Sequence, residues 1–138
     1  MGDYNNQLSF NSNGGSGLES FEISDEYHTN GRYAAKITFN GAASGYVRYR
    51  IPTVSEFINK TILFKANIKT AKQIEFAVYY KLNGTYTQTK VDVPEDSEGL
   101  FEVSLTAPEG ITELLFGIDC RVDTGVVCYT DNWMLFVE

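Results

Sequence analysis

Residues 73–93 read QIEFAVYYKLNGTYTQTKVDV, two β-prone runs joined by an Asn-Gly pair. In the first run, strand alternation puts Ile74, Phe76, Val78 and Tyr80 on one face and Glu75, Ala77, Tyr79 and Lys81 on the other. Asn83-Gly84 suits the positive φ values of a type I′ turn, so the two runs form a hairpin. The Ile74, Phe76 and Val78 face is core, with Tyr80 half-buried at the strand end. With Val91 turned inward, Tyr86, Gln88 and Lys90 join Tyr79 and Lys81 on the outer face.

Outward from this hairpin the same pattern recurs. NQLSF reads as a first, edge strand and NSNGGSG as a flexible loop after it. LESFEIS alternates imperfectly through Leu18, Phe21 and Ile23, and YAAKITF aligns Ala35, Ile37 and Phe39 on one face. GYVRYRI puts Val47, Tyr49 and Ile51 on one side and Tyr46, Arg48 and Arg50 on the other. TILFKANIK, LFEVSLTA, TELLFGIDC and VVCYTDNWMLFV complete a set of about ten or eleven short strands, the signature of a two-sheet antiparallel β-sandwich or jelly roll. Asn30-Gly31 and Asn40-Gly41 mark further turns, and Pro94 and Pro108 each close a strand. Helix signals are confined to one short turn in PTVSEFINKT. No internal repeat or linker divides the chain, so residues 1–138 are expected to form a single domain.

Composition narrows the function classes. The chain has 138 residues, enough for a true core, with 43% hydrophobic and 21% charged residues. A formal net charge of −7 disfavours nucleic acid and anionic membranes, because phosphates attract Lys and Arg. No apolar run approaches the roughly 18 residues of a membrane span. The start, MGDYNNQLSF, lacks the basic and apolar segments of a secretion signal. Its Met-Gly pair fits a domain excised from a longer chain, and the expected setting is part of a larger protein or assembly, extracellular or on a virion surface.

Catalytic motifs are scarce. The single histidine, His28, lies in the loop-like DEYHTNGR, and Asp25-Glu26 and Glu95-Asp96 are loop neighbours that read as solvated. Asp123-Thr124-Gly125 reads as a hairpin tip rather than half of an aspartic protease site. If it is one, Cys120 and Cys128 face each other across the hairpin, and a disulfide is geometrically open to them; the other reading is two reduced, buried thiols. No phosphate loop, dinucleotide fingerprint or zinc motif is present. A non-enzymatic domain is expected.

The outer face then carries the functional reading. Tyr46, Arg48, Arg50, Tyr79, Lys81, Tyr86 and Gln88 combine aromatic rings with planar donors and acceptors, the pairing that sugar binding needs. Tyr also packs well on exposed strands for purely structural reasons, and it is enriched at protein interfaces, so a protein-binding face is a competing reading.

The closing stretch GVVCYTDNWMLFVE resembles the end of calcium-containing jelly-roll carbohydrate-binding modules of the kind appended to xylanases, and similar modules occur on phage tail proteins. LSF looks like that family's first strand. NGRYAAKITF resembles its Gly-x-Tyr-Ser-Leu-x-Val strand, TILFKANIK its central strand, and LFEVSLTAPEG the strand before its Pro-Gly loop. The resemblance implies a non-catalytic module binding an oligo- or polysaccharide on a sheet face, or alternatively a phage tail or baseplate domain for host-glycan attachment or assembly. It also implies a structural Ca²⁺ held by oxygen ligands, here Asp131 with Asn11 and Asn30. Phe10-Asn11 departs from the family's Phe-Glu and removes one carboxylate from that set. Trp133, on the alternation from Asp131 through Leu135 and Val137, is expected in the core rather than on a sugar platform.

Overall fold

The structure, a computed structural model, describes residues 12–14, 18–24, 34–41, 45–120 and 125–137. Ten strands are found among them: β1 (Ser12–Gly14), β2 (Leu18–Ser24), β3 (Ala34–Phe39), β4 (Gly45–Arg50), β5 (Thr61–Thr70), β6 (Ile74–Leu82), β7 (Thr85–Val93), β8 (Ser97–Thr106), β9 (Glu113–Cys120) and β10 (Val126–Val137). They form two five-stranded antiparallel sheets, ordered β1-β4-β9-β6-β7 and β2-β3-β10-β5-β8. The expected antiparallel β-sandwich is therefore the fold. A single 3-10 turn, Val54–Phe57, occupies PTVSEFINKT.

Alternation explains the core. Ile37 and Phe39 of β3, Ile62, Phe64 and Ile68 of β5, Ile74, Phe76 and Val78 of β6, and Leu114, Phe116 and Ile118 of β9 all point between the sheets and are buried. Asn83 and Gly84 take φ values of 52° and 79°, the positive pair that a type I′ turn requires, and set the β6–β7 register Leu82↔Thr85 through Ile74↔Val93. Phe116 is the hub of the aromatic packing: its ring lies 4.6 Å from Phe64, 5.1 Å from Trp133, 5.9 Å from Tyr49 and 6.4 Å from Phe76, centroid to centroid. Trp133 is buried as expected, and its indole N–H donates to Thr130 Oγ1 at 2.6 Å, giving the polar edge of the ring a partner inside the core.

Four expectations change on contact with the structure. The stretch NSNGGSG, read as a loop, holds β1, which pairs with β4 through Ser12↔Arg48 and Gly14↔Tyr46; the strand NQLSF lies outside the described residues. The cysteines do not face each other across a hairpin. β9 is already hydrogen-bonded on both edges, by β4 and β6, so the chain after it crosses to the other sheet and β10 pairs with β3 and β5. Cys120 and Cys128 are buried thiols in different sheets, and burial, aided by Cys120 nearby, pushes the Cys128 thiol far above the ordinary range.

The alternation along β10 is also broken. A bulge shifts the register between Asp131 and Met134, with Asn132 at φ 54°. One extra residue flips every following side chain, so Asp131, opposite Asn67, faces away from the core that receives Trp133. At the strand end Val137 is exposed rather than with the core set. Finally, Tyr79 points outward yet is only 8% exposed, packed with Ala77 and Leu115 in a small second apolar cluster.

Truncating the aromatic hub tests the packing. Phe116→Ala is expected to cost about 3–5 kcal/mol, the range for deleting a buried aromatic ring, read as a fall in the chemical denaturation midpoint without a change in slope.

Candidate glycan-binding face

The outer face of the β1-β4-β9-β6-β7 sheet follows from its registers. Cross-strand partners stack in four rows: Tyr46–Asp119–Glu75–Asp92, Arg48–Gly117–Ala77–Lys90, Arg50–Leu115–Tyr79–Gln88, and Glu113–Lys81–Tyr86. Directly opposed side chains lie about 4.5–5.5 Å apart at Cβ, so each row is a line of neighbours. Tyr46, Arg48, Arg50, Tyr79, Tyr86 and Leu115 line one recess of about 260 Å³ on this face.

Between Arg48 and Lys90, row two holds only Gly117 and Ala77. Gly117 has no side chain and could not have one: a Cβ there would meet Val47 O at 2.2 Å, Arg48 Cα at 2.6 Å and Arg48 Cγ at 2.9 Å. Arg48 lies along the trough that Gly117 and Ala77 leave. Its guanidinium carbon is 3.9 Å from the Tyr46 ring centre and 4.1 Å from that of Tyr79. The Nε and Nη2 groups donate to Asp119 Oδ1 at 3.1 and 2.9 Å. The Tyr79 hydroxyl donates to the other oxygen, Oδ2, and itself accepts from Gln88 Nε2 at 2.8 Å.

These contacts add up. Hydrogen bonds to a charged group contribute about 1.5–3 kcal/mol each, and a partly desolvated cation–π contact about 1–2 kcal/mol. Pulling Arg48 away would leave the buried Asp119 charge unpaired, at a cost of about 3–5 kcal/mol, so the guanidinium is held in place. Tyr79 was expected to be a stacking platform. Its ring is instead covered by the guanidinium and packed against Leu115, and Tyr46 carries the same guanidinium on its ring, which leaves Tyr86, 50% exposed, as the open aromatic surface.

A second cluster borders the recess. Tyr86, 50% exposed, donates its hydroxyl to Glu113 Oε1 at 2.8 Å. Arg50 donates to the same oxygen, and Lys81 Nζ lies 3.4 Å from Oε2 and 5.2 Å from the Tyr86 ring centre. The hydrogen bond from Tyr86, followed by the two cations, holds the Glu113 carboxyl below its usual range; the same bond holds the Tyr86 phenol above its own. The proton therefore stays on Tyr86 and the charge on Glu113. At the far corner Lys90 Nζ donates to Glu75 at 2.7 Å and to Asp92 at 3.1 Å.

All seven residues expected on this face are there. Those around the recess are Tyr46, Arg48, Arg50, Tyr79 and Tyr86; Lys81 and Gln88 flank it through Glu113 and Tyr79. Sequence reading missed Glu113, Leu115, Gly117 and Asp119. The signal was present: in TELLFGIDC the core set Leu114, Phe116, Ile118 and Cys120 leaves those four on the opposite face.

The expected calcium ligands fare differently. Asn11 and Asn30 lie outside the described residues. Asp131 is fully buried at the β10 bulge, and one of its oxygens accepts the Asn132 N–H at 2.8 Å. A buried carboxylate suits a hard cation, but among the described residues no three His, Cys, Asp or Glu side chains converge as a metal cluster.

Comparison with known proteins bears on the fold. No family model matches the sequence, and no curated protein matches it. Solved structures do match. The chain superposes on a family 16 carbohydrate-binding module with a TM-score of 0.67 and 18% identity, covering 84% of each chain. It superposes on the second family 22 module, a xylan-binding domain, of Paenibacillus barcinonensis Xyn10C with a TM-score of 0.70 and 11% identity, covering 92% of this chain and 91% of that one. It also matches the enzymatically active domain of bacteriophage CBA120 tailspike protein 4, with a TM-score of 0.73 and 8% identity, over 99% of this chain but only 20% of that one. At these identities the likeness is one of fold, and the fold is the β-sandwich of carbohydrate-binding modules, in line with the resemblance read from the sequence.

Gly117 is the sharpest local test of the face. Gly117→Ala is expected to destabilise by about 1–3 kcal/mol, because the new methyl meets the β4 backbone rather than a flexible side-chain end. Chemical denaturation of the variant beside the parent measures it.

Proposed function

We propose that this chain is a non-catalytic carbohydrate-binding module that takes an oligo- or polysaccharide across the outer face of the β1-β4-β9-β6-β7 sheet. The observation that carries the reading is the gathering of Tyr46, Tyr86, Arg48 and Arg50 around one open recess, with Gln88 and Lys81 at its border. Aromatic faces match the apolar faces of pyranose rings, and the planar donors match their hydroxyls. The likeness in fold to modules of families 16 and 22 supports it.

The carboxylates of this face support the absence of chemistry in the proposal. Glycoside hydrolysis needs two carboxyl groups about 5–10 Å apart, one of them kept protonated. Asp119 and Glu75 are cross-strand neighbours, but Arg48 holds one and Lys90 the other. Glu113 is six residues from Asp119 on the same strand, about 20 Å at a rise of about 3.3 Å per residue, and its carboxyl is held below the usual range rather than above it. Single sites of this kind bind at about micromolar to millimolar affinity, and attachment to a larger protein, extracellular or on a virion, supplies avidity.

A structural calcium ion at Asp131 belongs to the same proposal. Asp131 would supply one carboxylate, and the segments around Asn11 and Asn30 the amide and carbonyl oxygens. Addition of Ca²⁺ is expected to raise the melting temperature and EDTA to reverse the rise; in Asp131→Ala the response disappears. An unchanged melt with and without the ion rules the site out.

A second reading has one observation of its own, the near-complete match of this chain to a segment of a phage tailspike. A virion domain would serve host-glycan attachment or assembly. A trimer in size-exclusion chromatography favours that setting, and a monomer favours a module appended to an enzyme.

The test of binding is a glycan microarray followed by titration calorimetry with the hits. Tyr86→Ala is expected to weaken binding about tenfold, the equivalent of about 1.4 kcal/mol of lost stacking and hydrogen bonding, with no change in melting temperature beyond about two degrees. A clean negative across plant, microbial and host glycans overturns the reading in favour of a protein-binding or structural domain.

A further inference from the structure

Among the residues of this face, Asp119 is the one that no ligand reaches and that everything central is built on. It is 2% exposed, yet it accepts two guanidinium hydrogen bonds from Arg48 and the hydroxyl of Tyr79. A carboxylate placed on the outer side of a sheet needs a specific reason to be this deeply covered, since charged groups are buried only when paired. Here the cover is the pair itself: Arg48 lies over it, with Tyr46 and Tyr79 against the guanidinium and Gln88 behind the Tyr79 hydroxyl.

We infer that Asp119 is the positioning residue of the glycan site. It fixes the Arg48 guanidinium, held between Tyr46 and Tyr79, as an immobile cation at the centre of the recess. This rests on the binding function proposed above and adds to it a division of roles. The ligand stacks at the edge, on Tyr86, and meets the fixed cation in the middle, held between Tyr46 and Tyr79. A cation fixed there favours saccharides that turn ring, glycosidic or hydroxyl oxygens toward it, and it disfavours chains that present a continuous apolar face. Tyr79 acts through Arg48, as its backing, and not by touching the sugar. The Gly117 and Ala77 trough serves the same purpose by leaving room for the Arg48 side chain to reach Asp119.

The experiment is a double-mutant cycle read by calorimetry, using whichever of xylohexaose, cellohexaose and mannohexaose binds the parent protein most tightly. Asp119→Asn keeps the shape and removes the charge; Arg48→Lys keeps the charge and removes the guanidinium. Each is expected to weaken binding about tenfold, and the double variant also about tenfold rather than about a hundredfold, because the two act as one unit. Tyr86→Ala, which touches neither, is expected to multiply with each. Tyr79→Phe keeps the ring behind Arg48 and serves if Asp119→Asn does not fold; a loss of about threefold or more is expected from the missing hydroxyl bond to Asp119. Independently of ligand, the Arg48 Nε–H proton should be slow to exchange in NMR spectra of the parent and fast in Asp119→Asn. Parent binding with Asp119→Asn or Tyr79→Phe binding equally well, or effects of Asp119→Asn and Arg48→Lys that multiply, overturns the positioning role and leaves the binding function standing. A parent protein that binds none of the three hexasaccharides and nothing on the microarray overturns both.

Discussion

Strand β9 is hydrogen-bonded along both edges and covered on both faces, and that constraint organises the molecule. Every residue from Glu113 to Cys120 must satisfy one of two environments. The even-numbered set, Leu114, Phe116, Ile118 and Cys120, fills the space between the sheets and places Phe116 at the aromatic hub. The odd-numbered set, Glu113, Leu115, Gly117 and Asp119, builds the outer face: two carboxylates, one apolar contact and one obligatory gap. Core and candidate site are thus two sides of one strand. Losing the packing of one side disturbs the register that the other side depends on, because a single-residue slip would exchange the two sets.

The charges of the outer face are matched to one another. Arg48, Arg50, Lys81 and Lys90 are each matched to Asp119, Glu113, Glu75 or Asp92. Isolated exposed pairs contribute little, at a median of about 0–1 kcal/mol, so Lys90 at the corner adds little to folding. The Arg48–Asp119 pair differs, with side chains 18% and 2% exposed and with hydrogen bonds to both carboxylate oxygens. Burying such a pair is seldom a net gain in stability over apolar packing. Its effect is geometric: it holds a guanidinium in one place on a surface where a long side chain would otherwise sample many rotamers.

Much of this was legible in the chain itself, and the failures have identifiable causes. Period-two alternation located the strands, and Asn83-Gly84 gave the β6–β7 hairpin, because both signals are local. The seven outer-face residues on β4, β6 and β7 followed from the same alternation. Asp119 and Glu113 obey it too, but charged residues in the mainly apolar TELLFGIDC stand out as partners of cations only when β9 is known to lie between β4 and β6. The burial of Tyr79 was out of reach for the same reason: it comes from Arg48, 31 positions away in sequence, brought over the ring by two strand pairings. The Cys120–Cys128 hairpin failed because sequence neighbours need not be sheet neighbours when both edges of a strand are taken. The β10 bulge escaped because one inserted residue, Asn132 at positive φ, leaves no mark in composition while reversing the face of everything after it.

That bulge separates two kinds of work in the molecule. Before it, β10 runs in step with β3 and β5 and sends Thr130 inward, where its hydroxyl accepts from Trp133 and donates to the Asn67 carbonyl at 2.9 Å. After it, Trp133 drops into the core against Phe116 and Phe76. At the bulge itself Asp131 is turned the other way and buried, one oxygen spent on the Asn132 N–H. The second sheet therefore anchors the core from behind Phe116 and carries its buried carboxylate on its own far side, remote from Asp119. The two buried carboxylates belong to opposite surfaces of the sandwich. Any ion at Asp131 would act on the frame that holds Trp133, whereas Asp119 acts on the face where Arg48 lies. A calcium ion at the one and a glycan at the other would therefore be separable in their effects, coupled only through the rigidity of the core between them.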